Sequence, residues 1–523
     1  MKIVLIFLLT LMASKGANAI SSSDAESRCV QLQSPLTRTL TLEAQYIAEP
    51  SKWQPEEPSS YPAQVIAQPF CRVTGAIESN IRFELWLPTA SQWNERLLGA
   101  GVGGPAGVFN YFDMSARLNE GFATFTTDGG HKKSNQRWMA DPKARADYEH
   151  RAVHLTTVFA KRILASYYQK PQQYSYFSGC SGGGRQGLKE LQTYPQDFDG
   201  IVSGAPAPYM PLQSTRMMWS SLLQQNNPKA ALQEADWQLY ENAVTRQCDA
   251  DDGVEDGIIE NLAACQFDLA SLACKNKSSS DVDEQCITKD RLSMLATIIA
   301  PMKDEAGNAM DFGLFPGVRT RPGPPSPLLR AMWADGVYND SNWDETTFQR
   351  SKDLALINQH MPELRADNPM IDDFIARQGK AIIYQGWSDP STVANLAIDY
   401  YAQLASLQNG VDNLSKSIRL FLIPGMYHCR AGPGADQFGG SKQHAWPSDS
   451  NRDILWALID WVENNQPPQF METTKISDDN QQVFTRKVCP FPQSAAFDAK
   501  GNAEQASAYN CKIDPTLLKF LAN

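Results

Sequence analysis

The sequence predicts an α/β fold: a doubly wound, mostly parallel sheet with helices on both faces and one large insertion packed over it. Three observations carry that expectation. Short apolar runs recur along the chain, "RLLGAG", "GFATFTTD", "YSYFSG", "DGIVSGAP", "KAIIYQG" and "IRLFLIPG", each closed by a turn-forming residue. Near-continuous apolar runs of this length belong to strands buried on both faces, as in parallel sheets. Helix-like stretches such as 148–168 separate them, the alternation of a crossover-connected sheet. Finally, the strand rhythm stops between about residues 208 and 369, where Trp219, Trp237, Trp333 and Trp343, four cysteines, an acidic loop and "RTRPGPPSP" occur instead.

Taken in order, residues 1–19, "MKIVLIFLLTLMASKGANA", have the pattern of a secretory signal peptide. Lys2 precedes an apolar run from Ile3 to Ala13, and Ala17-Asn18-Ala19 forms a small-residue cleavage site. The run is too short to cross a bilayer. No cysteine follows the cleavage site, so a lipid anchor is not expected, and the mature chain is expected to be exported, periplasmic or secreted. "NIRFELWL" then alternates apolar and polar residues, a half-buried strand. Residues 20–207 and 370–523 are assigned to one catalytic domain and 208–369 to the insertion. A helix is expected over 451–464, followed by a tail with Cys489 and Cys511. The formal charge of −11 excludes nucleic acid and anionic membrane surfaces as expected partners. Ten cysteines with no C-x-x-C pair, in an exported chain, point to disulfides rather than zinc.

The chemistry centres on "YFSGCSGGGRQGL". Its G-x-S-x-G sits between a strand run and a helix run, the setting of a serine nucleophile on a sharp turn. Ser181 is the candidate nucleophile, and Gly182, which follows it, is one candidate oxyanion donor. A serine hydroxyl needs a base to take its proton. Of six histidines, His150 and His154 lie one turn apart in a charged helix, a packing or surface placement. His428, in "LFLIPGMYHC", follows an apolar strand and lies after the nucleophile, as the Ser–Asp–His chain order of an α/β-hydrolase requires. Asp389, in "KAIIYQGWSDPSTV", follows a strand between the two. It can orient the imidazole or merely start an Asx turn before Pro390. Cys180 precedes Ser181 directly and Cys429 follows His428 directly. If Ser181 and His428 meet, the cysteine Cα atoms come within the roughly 4.4–6.8 Å range of a disulfide.

The paired Cys-Ser, Asp and His-Cys arrangement resembles the tannase and feruloyl esterase family of secreted α/β-hydrolases. The likeness spans nearly all of the mature chain, through "WNERLLGAGVGG", "GFATFTTDGGH", "FDGIVSGAPA", "CDADDGVEDGIIEN", "IIYQGWSD", "PGMYHCRAGPG" and "VCPFPQ". It implies an α/β-hydrolase sheet whose 208–369 insertion is a lid domain, and a serine carboxylester hydrolase acting on small esters of aromatic acids. It also implies Gly104 as the second oxyanion donor, with Gly103 next. The implied disulfides are Cys180–Cys429, Cys29–Cys71, Cys248–Cys265, Cys274–Cys286 and Cys489–Cys511, the local pairs being favoured by spacing as well.

The acidic stretch is not an EF-hand frame, since Gly253 stands where the third acidic ligand would be. The resemblance implies a structural calcium ion here, held by the side chains of Asp249, Asp252 and Asp256 and the carbonyls of Val254 and Ile258. The same family includes a mono(2-hydroxyethyl) terephthalate hydrolase. That enzyme has Glu where Gly182 stands here, which turns the expectation toward hydroxycinnamoyl or galloyl esters. A serine peptidase would share the triad, and a calcium-dependent binding protein would not need it.

Overall fold

The computed structural model describes residues 22–32, 40–55, 61–274, 286–320 and 323–522; the signal segment 1–19 lies outside them. The strands are β1 (Leu40–Ile47), β2 (Lys52–Trp53), β3 (Gln64–Val65), β4 (Phe70–Ile77), β5 (Ile81–Pro88), β6 (Arg96–Ala100), β7 (Ala123–Thr127) and β8 (Tyr174–Cys180). They continue with β9 (Gly200–Gly204), β10 (Lys380–Gly386), β11 (Ile418–Ile423), β12 (Met471–Ile476), β13 (Gln482–Val488), β14 (Gln493–Phe497) and β15 (Tyr509–Ile513).

Nine of these form one sheet in the order β1-β4-β5-β7-β6-β8-β9-β10-β11. Every pairing from β7 through β11 is parallel. The pairings β1 with β4, β4 with β5, and β5 with β7 are antiparallel. All seven apolar segments read as strands in the sequence are strands. Two further members, β1 and β4, extend the antiparallel edge. Leu42 and Ala44 of β1 are buried while Thr41, Glu43 and Gln45 are exposed, the alternation of an edge strand covered on one side.

Alternate residues of the central strands feed two cores. Phe177, Ile201, Ile383 and Leu420 point to one face, and Tyr176, Val202, Ile382 and Phe421 to the other. That two-sided burial explains why these strands read as continuous apolar runs. The helix expected over 148–168 begins with a π-type turn at Asp147–Arg151 and continues as Ala152–Tyr168. The helix expected over 451–464 starts at Ile454, three residues later, because Asp453 caps it by accepting from the amides of Leu455 and Trp456.

Between β9 and β10 the chain leaves the sheet and builds helices Met210–Gln225, Glu234–Cys248, Lys289–Ile299, Pro327–Ala334 and Arg350–His360. Met218, Leu222, Leu329, Met332 and Trp333 of this insertion pack with Val102, Ala106 and Tyr148 of the sheet domain. The insertion is therefore seated over the loop that follows β6. Disulfides join Cys29–Cys71, Cys180–Cys429, Cys248–Cys265, Cys274–Cys286 and Cys489–Cys511. Among the described residues, no helix is long and apolar enough to cross a membrane.

Candidate active site

Ser181 sits between β8 and the helix Gly182–Thr193 with φ 63° and ψ −123°. A non-glycine residue rarely holds that conformation, and it persists only where the surroundings over-determine it. Here the Ser181 amide donates to Gly204 O at 2.9 Å, and Ser181 O accepts from Arg185 N at 2.9 Å. The turn can close because its neighbours lack side chains. A Cβ on Gly184 would lie 2.0 Å from Gly204 O, and one on Gly182 would lie 3.1 Å from Gly104 N.

That last distance brings the two candidate oxyanion residues together. Gly182 heads its helix, where the first amides have no intrahelical acceptor. Gly104 lies on the loop after β6 at φ +61°. Its carbonyl accepts the Tyr148 hydroxyl at 2.8 Å, and the Val102 amide of the same loop donates to Gln186 Oε1 at 3.0 Å. Gly103 is packed against the nucleophile turn, where a Cβ would meet Cys180 O at 3.4 Å.

His428 follows β11 and Asp389 follows β10. His428 Nδ1 and Asp389 Oδ2 are 2.7 Å apart, with Asp389 fully buried and the imidazole partly exposed. The carboxylate has further donors. Oδ1 accepts from the amides of Ser391 at 2.7 Å and Thr392 at 2.9 Å. Oδ2 accepts from Thr392 Oγ1 at 2.7 Å and Gln385 Nε2 at 3.1 Å. Asp389 thus both makes the Asx turn and holds the histidine; the two sequence readings are compatible. Thr392 and Gln385 escaped the sequence reading. The D-x-S-T spacing was a usable signal for Thr392, whereas Gln385 looks like any strand residue.

Ser181, Gly182, Gly104 and His428 line one cavity of about 440 Å³, within the usual size of small-molecule sites. Cys180–Cys429, with Cα atoms 6.0 Å apart, ties the serine turn to the histidine loop. The insertion contributes Met210, Met217, Leu328, Leu329 and Met332 as an apolar wall.

Three of the other histidines, His131, His150 and His154, are held in packing contacts. His150 Nδ1 lies 2.7 Å from the Tyr194 hydroxyl and His154 Nδ1 2.6 Å from Asp197 Oδ2. His131 stacks on Trp138 with ring centroids 3.9 Å apart, and its burial lowers its pKa to about 4.

The acidic loop lies apart from this cavity. Asp249 accepts from the amides of Asp256, Gly257 and Ile258 at 3.2, 2.9 and 3.1 Å. The Val254 amide donates to Asp252 at 3.0 Å, and Asp256 also pairs with Arg486 of β13. Among the described residues, no three His, Cys, Asp or Glu side chains converge as a metal cluster. The three carboxylates of the expected set, Asp249, Asp252 and Asp256, are therefore not drawn together as a cluster here. The chemistry of the set suits a hard cation: all donors are oxygens, and Asp252 is pushed up to about 6 by burial, with the Asp256 and Asp249 charges adding.

A strained serine turn and a histidine on a buried carboxylate, set at the carboxyl ends of β8, β11 and β10, are the marks of the α/β-hydrolases. The model of the family described as tannase and feruloyl esterase matches residues 63–323 and 325–512, and the chain belongs to that family. It is 28% identical over 536 residues to a protein of Aspergillus terreus named "Probable feruloyl esterase B-1", covering 98% of this chain and 100% of that one. It is 30% identical over 493 residues to an uncharacterized esterase of Xanthomonas campestris pv. campestris, covering 85% of each. The crystal structure of feruloyl esterase B from Aspergillus oryzae superposes with TM-score 0.86 at 26% identity, covering 93% of this chain and 100% of that one.

Proposed function

We propose that this chain is an exported serine carboxylester hydrolase that cleaves esters of aromatic acids, of the hydroxycinnamoyl or galloyl kind. The observation that carries the reading is that His428, held by Asp389, lines one cavity with Ser181 and an apolar wall. Ser181 Oγ attacks the ester carbonyl while His428 takes its proton. The amides of Gly182 and Gly104 hold the oxyanion of the tetrahedral intermediate. As the intermediate collapses, the C–O bond to the alcohol breaks and His428 returns the proton to the departing oxygen. Water then repeats the sequence on the acyl-enzyme, releasing the aromatic acid and restoring Ser181. Asp389 keeps Nδ1 of the imidazole as donor and stabilises its protonated form.

Steady-state kinetics over a panel of methyl hydroxycinnamates, methyl gallate, acetate esters and the matching amides tests the reading. Expected is an aromatic-ester kcat/KM at least about tenfold above that for acetates. Absence of ester turnover, or a preference for amides, overturns it.

The family likeness and the oxygen-only donor set support calcium on the acidic loop, held by Asp249, Asp252 and Asp256 with the carbonyls of Val254 and Ile258. When bound, the ion neutralises this acid-rich loop and takes no part in the ester chemistry. A strong chelator is expected to lower Tm by a few °C, because an ion bound only by the folded chain adds to its stability. An unchanged Tm together with no metal by elemental analysis rejects the site.

A further inference from the structure

We infer that Tyr148 is the positioning residue of the oxyanion hole: its hydroxyl fixes the Gly104 carbonyl, and Arg185 fixes Tyr148 to the helix that carries Gly182. This rests on the ester-hydrolase reading above.

The need for such a residue follows from where the two donors sit. Gly182 heads a helix and Gly104 lies on the loop after β6, so their amides converge only if loop and helix are held in register. Gly104 does not hold itself. At φ +61° it has the broad freedom of glycine, and a Cβ built there would meet nothing within 4 Å. Pro105 follows it and has no amide to donate. The loop is anchored at its ends, where the Gly101 amide donates to Ser178 O and the Gly107 amide to Asp128 O, both at 2.8 Å. Between those anchors the Tyr148 hydroxyl donates to Gly104 O at 2.8 Å. A donor that must be preorganised for the oxyanion is thereby set through its own carbonyl.

Tyr148 is in turn firmly placed. It stands in the π-type turn Asp147–Arg151, a rare geometry that recurs at functional sites. Asp147, which is buried, pins that turn by pairing with Arg151 and with Lys143, the latter at 3.3 Å. Arg185 is 1% exposed and donates to the carbonyls of Glu149 and Tyr148, both at 2.8 Å. Its guanidinium also lies 5.1 Å from the centre of the Tyr148 ring. The Arg185 amide donates to Ser181 O at 2.9 Å. One residue thus joins the nucleophile turn to the turn that carries Tyr148. The Tyr148 ring packs on Trp138 with centroids 4.7 Å apart, and Trp138 stacks on His131. Burial pushes the Tyr148 hydroxyl above its ordinary range, so it stays protonated and keeps donating. Packing accounts for the ring but not for the oxygen. Phenylalanine would fill the same place against Trp138 and Arg185; tyrosine alone supplies the O–H that meets Gly104.

The substrate carbonyl is uncharged, and its oxygen becomes an anion only as Ser181 attacks. A displaced Gly104 amide therefore costs transition-state binding rather than substrate binding. The test is Tyr148→Phe, assayed on a methyl hydroxycinnamate. Expected is a kcat about tenfold lower with KM unchanged within about twofold. An aryl trifluoromethyl ketone supplies the second readout. Ser181 Oγ bonds to its carbonyl carbon, the serine proton passes to His428, and the ketone oxygen is left as the anion. This ketone is expected to bind about tenfold more weakly to the variant, in step with kcat/KM, whereas the free hydroxycinnamate, which forms no oxyanion, is expected to keep its inhibition constant. Full kcat in the variant overturns the inference, as does a loss of kcat without weaker ketone binding. A Tyr148→Phe chain that does not fold also overturns it, since the hydroxyl would then serve the fold at large. Each of these results, with wild type turning over the ester, spares the ester-hydrolase reading. No turnover by wild type overturns both.

Discussion

Replacing Ser181 with Ala is expected to lower kcat for an aromatic ester by at least about 10⁴-fold while leaving the folded structure intact. The substitution removes only the proposed nucleophile. Alanine keeps a Cβ at φ 63°, so the backbone strain already present is not increased. His428→Ala is expected to be comparably severe, because the serine and its base serve the same step. The double variant should then be no worse than either single, the mark of residues acting as a unit. Circular dichroism and Tm check the fold, and kcat checks the chemistry. Activity within tenfold of wild type in a folded Ser181→Ala protein sinks the mechanism.

The second large effect concerns the disulfide between Cys180 and Cys429. These residues are 249 apart in sequence, with Cα atoms 6.0 Å apart. In the chain-entropy model, a cross-link closing so long a loop restricts the unfolded chain by about 5 kcal/mol. The kinetic consequence is expected to be larger than the thermal one. The bridge joins the residue before Ser181 to the residue after His428, so it sets the separation of nucleophile and base. A misplacement of about 1 Å at such a site costs roughly 100-fold in rate. Cys180→Ala/Cys429→Ala is therefore expected to lose about 100-fold in kcat at temperatures where it stays folded. Peptide mapping that finds Cys180 as a free thiol, or a folded double variant with full kcat, overturns this account.

Much of the architecture was legible before any coordinates. The runs that became β5 through β11 are buried on one or both faces, and a buried strand must be apolar at fixed spacing. That constraint acts on neighbours in the chain, so the chain itself displays it. The nucleophile turn is legible for the same reason: backbone crowding behind Ser181 demands glycine at position 184. The adjacency of Cys180 to Ser181 and of Cys429 to His428 carries a long-range contact into local sequence, because each cysteine is the chain neighbour of the residue it positions. The π-type opening of the helix ending at Tyr168 and the start at Ile454 were not legible to the residue, since termini depend on caps chosen in three dimensions.

What the tertiary structure alone decided are the pairings between distant segments. Gln385 and Thr392 are ordinary strand and loop residues until the Asp389 carboxylate is seen between them. Arg486, in a late hairpin, reaches Asp256 of the insertion, 230 residues earlier. The same holds for the wall of the cavity. Composition reports an acidic protein, yet the lining of this one cavity contains cations and no carboxylate. Periodicity and glycine placement record what each residue requires of its neighbours along the chain. The sign of a cavity, or the partner of a buried charge, depends on which distant side chains folding brings together, and no local spacing encodes that.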